Sequence, residues 1–450
     1  MGKFDVVVIG AGPGGYECAS LLAKQGKNVA IIEKNENQIG GTCLNEGCVP
    51  AKHYLESATY IAKHNYMKSC GVQATNMNLD ITTLKNKKIE LTAQLRAGIA
   101  TKLKKAKVTT IFGTASFEST NSIKVNNKII SADKFVIASG SIHRPHPLLE
   151  VDGKQIISSK EVFELEKIPN SILIVGGGAI GCEFATFFNS IGTQVDIAEF
   201  TPQIVPAEDI DVAKGLKREL EKKDVSISVD TNVTKCVKYN EQLEVTMQTK
   251  KGELKKTYEL ILVSIGRAPN TNELNLEIAE VNSDRGFVLT NEYLQTNNPN
   301  IYAIGDVLTT PALAHSAYNE ASVVANNIIN EVTCKPLTVI PFVTFCQPQV
   351  ASVGKNEKIL KEEGIEYTAI KHFYKSSAKA KIKGDDSGFI KLLCDKHSDV
   401  ILGGTMMGND TTEHIHQILI AINAKLTRDE LANMVFAHPT LSESLWEMVH

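Results

Sequence analysis

The chain has 450 residues, of which 43% are hydrophobic and 22% are charged, and its formal net charge is −3. This length exceeds what one hydrophobic core supports and predicts about three domains, and the composition excludes a disordered or fibrous chain. Lysines and arginines are spread along the sequence, which argues against a nucleic-acid-binding surface. The nine cysteines do not form the pattern of a secreted disulfide framework and indicate a reducing compartment.

The first predicted elements form a dinucleotide-binding βαβ unit. A strand over residues 4–9 runs directly into a glycine-rich turn and a helix, and a second strand over Val29–Ile32 ends in Glu33. The Glu33 carboxylate can accept hydrogen bonds from ribose hydroxyls. The fingerprint assigns one role to each of three glycines: the tight turn to Gly10, the approach of the backbone to a pyrophosphate to Gly12, and helix packing to Gly15.

Two cysteines, Cys43 and Cys48, follow this unit at a spacing of five residues. On a regular helix five residues rise about 7.5 Å, which is beyond the usual Cα separation of a disulfide, about 4.4–6.8 Å. The pair can therefore close only if the chain bends, and Gly47 and Pro50 permit a bend. A strained, accessible disulfide is of the catalytic kind. Two reduced cysteines without a role remain the alternative that this segment alone leaves open.

The next stretch, residues 53–112, is predicted to be mostly helical, with charged residues on solvated faces. Strands are predicted over Val108–Phe112 and Ser122–Ile130. A further apolar strand then leads into the small-residue turn Ser139–Ser141, near which we place a crossing into a second domain.

The glycine fingerprint occurs a second time after the strand Ser171–Val175. Its helix carries several phenylalanines, and its second strand, Val195–Ala198, ends in Glu199. Two such units predict two bound dinucleotides. A carboxylate at Glu199 suits a free ribose 2′-hydroxyl and repels a 2′-phosphate, so it predicts NAD rather than NADP. The alternative is that Glu199 points to solvent.

The last part of the chain contains two further candidate sites. Asp306 ends the strand that begins at Ile301, just before a helix predicted over residues 314–330, and its carboxylate suits a hydroxyl of a bound cofactor. After Pro336 the pattern predicts a separate α+β domain with four strands and two helices. Near the end of the chain, His438 is followed by a proline turn and by Glu443, which can hold one ring nitrogen and so make His438 a base. An ordinary surface histidine is the alternative.

Taken together, these motifs resemble the class I pyridine nucleotide–disulfide oxidoreductases over nearly the full length. The resemblance is closest to members that oxidise dihydrolipoyl groups. Three segments carry it: Gly40–Cys48, the stretch from Thr296 to Asp306, and His438–Glu443. It implies an α/β fold with two Rossmann-like dinucleotide-binding domains, for FAD and NAD, and a C-terminal α+β dimerisation domain. The domain bounds we expect are 1–142 and 269–335 for FAD, 143–268 for NAD, and 336–450 for dimerisation.

The resemblance also implies the residues that contact each cofactor. Besides the first fingerprint, those at FAD would be Glu33, Thr42, Lys52, Gly113, Ser139, Gly140, Ser141, Asp306, Ala314 and His315. Those at NAD would be Gly176, Gly178, Gly181, Glu199, Val233 and Gly266. Lys52 and Glu183 would form an ion pair beside the flavin.

By the same resemblance, Cys43 would be the thiol that meets the substrate and Cys48 the thiolate against the flavin. His438, held by Glu443, would act from the partner subunit of a homodimer. The expected protein partner is a lipoyl-bearing E2 core or H protein, with no nucleic acid, membrane or metal. The strand that starts at Phe4 leaves no room for a signal peptide, so a cytoplasmic enzyme is expected.

Some positions depart from the family pattern, and they put interface details in doubt rather than the reaction. They are Ala51, Cys346, Gln349 and the run Asn409–Thr412. The main alternative function is an NAD(P)H-dependent disulfide reductase of the glutathione or mercuric type, against which Glu199 argues. A non-catalytic flavoprotein is a further alternative, and the His438–Glu443 arrangement argues against it.

Overall fold

A computed structural model describes residues 3–73, 77–330 and 333–450. Its internal contacts divide these residues into two compact units. Unit 1 takes its residues from 1–53, 82–144 and 266–338, and unit 2 from 54–81, 145–265 and 339–450. Within the described ranges, no helix combines the length and the apolar character needed to cross a membrane.

The helices of the described chain vary from single turns to the 25-residue α5. In chain order they are α1 (Pro13–Lys24), α2 (Gly41–Asn45), α3 (Cys48–Ala62), α4 (His64–Ser69), α5 (Ile81–Lys105), α6 (Ala179–Ser190), α7 (Ile210–Glu221), α8 (Ala314–Ile329), α9 (Glu357–Glu362), α10 (Ala378–Ile382), α11 (Thr411–Asn423), α12 (Arg428–Ala432) and α13 (Glu443–Glu447).

The strands are mostly short. In chain order they are β1 (Phe4–Ile9), β2 (Val29–Glu33), β3 (Thr109–Phe112), β4 (Ala115–Ser119), β5 (Ser122–Val125), β6 (Lys128–Ile137), β7 (Ser141–His143), β8 (Ile156–Ile157), β9 (Ser171–Val175), β10 (Gln194–Ala198), β11 (Ser226–Ser228), β12 (Asn232–Tyr239), β13 (Gln242–Thr249), β14 (Gly252–Tyr258), β15 (Leu260–Val263), β16 (Arg267–Pro269), β17 (Ser283–Asp284), β18 (Phe287–Val288), β19 (Ile301–Ala303), β20 (Phe342–Thr344), β21 (Gln349–Gly354), β22 (Tyr367–Phe373), β23 (Phe389–Asp395) and β24 (Ile401–Gly408).

Unit 1 is built on a parallel sheet with the strand order β3-β2-β1-β6-β19. This is the order of a Rossmann-type sheet, in which a ligand binds where the direction of winding reverses, here between β1 and β6. Strands β1 and β2 are apolar on both faces and almost entirely buried, as is typical of central strands in a parallel sheet. Strands β4 and β5 extend the first half of β6 as an antiparallel meander.

Unit 2 contains a second parallel sheet of the same kind, with the order β11-β10-β9-β15-β8. An antiparallel sheet, β12-β13-β14, and a five-stranded antiparallel sheet, β20-β21-β24-β23-β22, complete the unit. Helix α6 buries its phenylalanines, Phe184, Phe187 and Phe188, against Tyr54 and Phe163. The predicted fold class, two Rossmann-like domains and an α+β domain, is therefore confirmed.

Several predicted elements differ in detail from the structure. The strand expected over residues 122–130 is a hairpin, because Asn126 and Asn127 adopt positive φ angles of 47° and 64° and turn the chain. Strand β4 and strand β22 were not predicted. The part after residue 336 contains the helices α9–α13 rather than two helices. Short helices with one apolar turn give little periodic signal, which is why they escaped prediction.

A buried carboxyl group in unit 2 gives a pH-dependent prediction. Glu208 precedes α7, and among the described residues its Oε2 atom has no hydrogen-bond partner. Burial raises the pKa of Glu208 to about 7, against a hydrogen bond from Ser352 and with the added repulsion of Asp209. The folded protein therefore retains this proton at a pH where the unfolded chain loses it, so stability falls as the pH rises from the unfolded pKa through 7.

Glu208→Gln should therefore raise the free energy of unfolding by about 2 kcal/mol more at pH 8 than at pH 4.5. The amide cannot ionise, so the variant escapes the cost of a buried charge above pH 7. Thermal unfolding of both proteins across this pH range measures the effect, with the exposed Glu241→Gln as the control. A stability difference that does not change with pH would contradict the ionisation of Glu208 near pH 7.

Candidate active site

The two cysteines of the Cys43–Cys48 segment lie on different helices. Helix α2 ends at Asn45 and α3 begins at Cys48, so the chain bends between them as the spacing requires. A Cβ atom on Gly47 would lie 3.0 Å from the Thr42 carbonyl oxygen, which explains the glycine. Pro50, in contrast, lies in the first turn of α3 and not in the bend. Proline is tolerated there because the first N–H groups of a helix have no hydrogen-bond partner within the helix.

The cysteine segment packs on the first glycine turn. The Gly40 N–H donates to the Ala11 carbonyl at 2.8 Å, and a Cβ on Gly41 would lie only 2.6 Å from the Gly12 Cα. Both cysteines are therefore held beside the turn where β1 meets α1. That is the end of the sheet at which Rossmann folds bind their ligand.

Cys43 and Cys48 are reduced in this structure, and no disulfide joins them. A hydrogen bond with Cys48 is the main cause that raises the pKa of Cys43, and burial adds to it, while the Lys52 ammonium acts in the opposite direction. Cys48 is the first residue of α3, and the N-terminus of a helix favours a thiolate. The arrangement suits a dithiol that gives up two electrons and closes to a disulfide.

The acids that end the second strands serve the two glycine turns in the same way. The Glu33 Oε2 atom accepts the Ala11 N–H at 2.8 Å, and the Glu199 Oε2 atom accepts the Gly177 N–H at 2.6 Å. Glu199 is buried and also accepts the N–H and hydroxyl of Thr201. Glu199 therefore braces the turn, and the alternative that it points to solvent is wrong.

The predicted glycines occupy equivalent places in the two units. A Cβ on Gly15 would lie 1.9 Å from the Gly10 carbonyl oxygen, and one on Gly181 would lie 1.9 Å from that of Gly176. Each helix can approach its strand this closely only because a glycine is present. The caps of these helices are Gly12 and Gly178, which lack a side-chain cap, so the N–H groups of α1 and α6 remain available to an anion.

A polar cluster joins three separate segments of unit 1. The Ser141 hydroxyl donates to Asp306 Oδ2 and accepts from Arg267 Nε at 2.6 Å, and Arg267 Nε lies 3.7 Å from Asp306. Burial lowers the pKa of Arg267, while the charges of Asp306 and Cys48 act in the opposite direction. Sequence reasoning found Ser141 and Asp306 but missed Arg267. Its place directly after Gly266, shortly after the buried strand β15, was the signal.

The remaining predicted FAD residues all lie in unit 1. The Gly113 N–H donates to the Glu33 carbonyl at 2.8 Å, Thr42 is in α2, and Ala314 and His315 begin α8. Ser139 and Gly140 follow the end of β6. Glu320 of α8, which was not predicted, is buried and accepts the Gly305 N–H at 2.6 Å, so it fixes the turn that carries Asp306.

The predicted NAD residues do not all lie together. Gly176, Gly178, Gly181, Glu199 and Val233 belong to unit 2, whereas Gly266 is the residue at which the chain enters unit 1. Glu183 of α6 is buried, and its Oε1 atom accepts the Phe345 N–H at 2.9 Å. The ion pair of Lys52 with Glu183 stays a prediction.

The C-terminal pair in unit 2 has the geometry expected of an oriented base. The His438 Nδ1 atom lies 3.0 Å from Glu443 Oε2 and 3.2 Å from Oε1. The His438 side chain is 74% exposed, whereas the Glu443 side chain is 8% exposed. A neutral imidazole whose Nδ1–H donates to a buried carboxylate carries the lone pair of a base on Nε2. Gln417 of α11 supports the start of α13, since its Nε2 atom donates to the Ser442 hydroxyl at 2.7 Å.

Comparison with known families agrees with this arrangement. Residues 4–321 match the family described as pyridine nucleotide-disulphide oxidoreductase, and residues 340–449 match its dimerisation domain. The chain belongs to this family. The pyridine nucleotide-disulphide oxidoreductases are FAD-containing enzymes that use a nicotinamide dinucleotide, and this chain is an oxidoreductase of that kind with a dimerisation domain of its own.

Individual relatives cover almost the whole chain. The mitochondrial dihydrolipoyl dehydrogenase of Pisum sativum is 34% identical over 98% of this chain and 90% of its own length. The dihydrolipoyl dehydrogenase of Bacillus subtilis is also 34% identical, over 98% of this chain and 97% of its own. The Cu(II) complex of an HOCl-induced flavoprotein disulfide reductase from Escherichia coli is similar in structure, with a TM-score of 0.90, 26% identity, and coverage of 100% and 99% of the two chains.

The residues present fit the family's two cofactors. In unit 1, the Glu33 carboxylate keeps lone pairs after its two backbone hydrogen bonds, and the Ser139 hydroxyl is buried without a partner among the described residues. In unit 2, a Cβ on Gly178 would meet no described atom within 4 Å, which leaves space for a pyrophosphate. FAD would be held by the residues around Glu33 and Asp306, and NAD by those around Gly178 and Glu199.

Proposed function

We propose that this protein is a dihydrolipoyl dehydrogenase, which oxidises dihydrolipoyl groups with NAD. The observation that carries the proposal is the hydrogen-bonded pair of Cys43 and Cys48, packed on the first glycine turn. The names and near-complete coverage of the curated relatives support it. An oriented His438, which a non-catalytic flavoprotein would not need, supports it as well.

The reaction follows from these residues. His438, acting on the other subunit of a homodimer, takes a proton from one substrate thiol, and the thiolate attacks Cys43. The Cys43–Cys48 bond breaks, Cys48 leaves as a thiolate, and a mixed disulfide forms at Cys43. The second substrate thiol then displaces Cys43, which releases the cyclic disulfide and leaves both cysteines reduced. When bound, FAD supplies the two-electron relay from the cysteines to NAD.

The proposed partners follow from the same chemistry. The substrate dithiol is carried by a lipoyl-bearing E2 core or H protein, and the dimer forms through residues 336–450.

Glu199 favours NAD, because a buried carboxylate at the end of β10 disfavours a 2′-phosphate. Two of the residues that depart from the family pattern, Gln349 and Thr412, contact each other: the Thr412 hydroxyl donates to Gln349 Oε1 at 3.0 Å. The compartment stays a prediction, because the relatives include plant mitochondrial and bacterial enzymes.

The test is turnover of dihydrolipoamide by the purified FAD-loaded protein with NAD and, separately, with NADP. We expect NAD-linked turnover that exceeds NADP-linked turnover at least 100-fold, and its loss in Cys43→Ser and Cys48→Ser. Reduction of glutathione disulfide or of a metal ion by NADPH, with dihydrolipoamide inert, would instead establish the reductase alternative.

A further inference from the structure

A pair of tyrosines lies beside the cysteine segment in unit 1 and has no part in the scheme above. Tyr16 lies on α1 and Tyr318 on α8, with their hydroxyl oxygens 2.6 Å apart. The ring centroids are 6.1 Å apart with planes at 63°, an edge-to-face contact. Tyr318 is 37% exposed, so one ring of the pair faces outwards.

The packing of α1 against α8 places this pair next to the redox cysteines. A Cβ on Gly14 would lie 3.3 Å from the Ala317 Cβ, so the residue before Tyr318 rests on the first turn of α1. Gly41, two residues before Cys43, rests on Gly12 of the same turn. Burial is the main cause that raises the pKa of both hydroxyls, and the charge of Cys43 contributes to both increases.

The chemistry of the pair is that of an apolar surface. The two hydroxyls hydrogen-bond to each other, which leaves one O–H proton for a further acceptor and leaves the ring faces apolar. The ammonium of Lys102 lies 5.4 Å from the centre of the Tyr16 ring, and Glu17 pairs with it and balances its charge. Aromatic rings make favourable contacts with sulfur and with hydrocarbon chains. The charged groups of a peptide disulfide would gain little here, because the charge of Lys102 is already neutralised by Glu17.

We propose that the rings of Tyr16 and Tyr318 form the wall against which a dihydrolipoyl group lies while its thiol reacts at Cys43. The inference rests on the proposed function and deepens it, since it assigns the specificity for an uncharged dithiol to two named residues. Substrate affinity depends on the rings, and the chemical step depends on the cysteines and His438.

The test compares Tyr318→Ala and Tyr318→Phe in the FAD-loaded enzyme. We expect Tyr318→Ala to raise the KM for dihydrolipoamide about tenfold with kcat within about threefold of wild type, because the ring surface is lost. Tyr318→Phe retains the ring and should restore a KM within about twofold. Oxidation of NADH by ferricyanide, which does not involve the dithiol, should not change in either variant, and this readout also shows that the protein is folded and loaded.

A matched control is Tyr293→Ala. Tyr293 is also in unit 1 and also has a lysine, Lys335, 5.4 Å from its ring centre. Its loss should leave the KM for dihydrolipoamide unchanged. An unchanged KM in Tyr318→Ala, or an equal increase in Tyr318→Phe, would overturn the wall while wild-type turnover still supported the proposed function. Failure of the wild-type enzyme to oxidise dihydrolipoamide would overturn both.

Discussion

Lys391→Met is expected to lower the stability of the protein by about 3–5 kcal/mol, because it leaves the buried Asp209 carboxylate without its cation. The Lys391 side chain is 3% exposed. Its ammonium lies 3.0 Å from Asp209 Oδ2 and 3.1 Å from Asp211 Oδ2, and it also pairs with Glu357. These three carboxylates converge closely enough to hold a cation, and the ammonium occupies that position. Without it the buried Asp209 carboxylate would face the partly exposed carboxylates of Asp211 and Glu357, which keep Lys371 and Lys361 as partners.

Asp209 also caps α7 through the Asp211 N–H, at 2.9 Å, so the loss extends to the start of that helix. The measurement is the melting temperature at fixed protein concentration. Lys396→Met is the matched control, because its partner Glu366 lies 3.2 Å away but both side chains are more than half exposed. That variant should change stability by less than about 0.5 kcal/mol. Adding Glu357→Gln to Lys391→Met should recover part of the loss, and no recovery would contradict carboxylate repulsion as its cause.

Glu443→Gln is expected to lower kcat for dihydrolipoamide oxidation by about 10²–10³-fold, within the usual contribution of about 10²–10⁴-fold from general acid–base catalysis. The glutamine can offer its amide N–H to Nδ1 and so stabilise the wrong tautomer of His438. A smaller loss of substrate affinity is expected, because neither side chain forms the surface on which the substrate rests. The rate should be measured across the pH range, since a lost base shifts the profile as well as its maximum.

The chain offers a matched control for this variant. His372 lies 3.1 Å from Glu447, in the same unit, at a separation like that of His438 from Glu443. Glu447→Gln should retain wild-type turnover. Equal losses in Glu447→Gln and Glu443→Gln would show that the histidine contacts act on stability and not on catalysis.

Much of the fold could be predicted from the sequence because its strongest signals are local. Each glycine turn lies between a buried strand and a helix, and the steric reason for Gly15 and Gly181 is the same short distance to a carbonyl oxygen. The bend at Gly47 followed from the length of a helical turn. The hairpin at Asn126 was missed, although two consecutive asparagines are a turn signal and both adopt positive φ angles in the structure.

The parts of the site that escaped prediction are those made by residues far apart in sequence. Arg267 and Ser141 are 126 positions apart, and Tyr16 and Tyr318 are 302 apart, yet each pair is in hydrogen-bond contact. No local pattern connects such residues. His438 and Glu443 could be predicted because they are five positions apart and a proline turn lies between them. The sequence predicts a ribose contact for Glu199 and gives no sign of its hydrogen bond to the Gly177 N–H.

Cys43 and Cys48 are expected to exchange electrons with a dithiol as a pair. The most direct test of this expectation is to map the cysteines by alkylation and mass spectrometry before and after anaerobic addition of one equivalent of dihydrolipoamide. We predict that the oxidised enzyme yields one disulfide-linked peptide containing Cys43 and Cys48, with the other seven cysteines free, and that the dithiol opens this bond alone. Alkylation of Cys43 and Cys48 in the oxidised enzyme, or a bond that dihydrolipoamide leaves intact, would contradict the account.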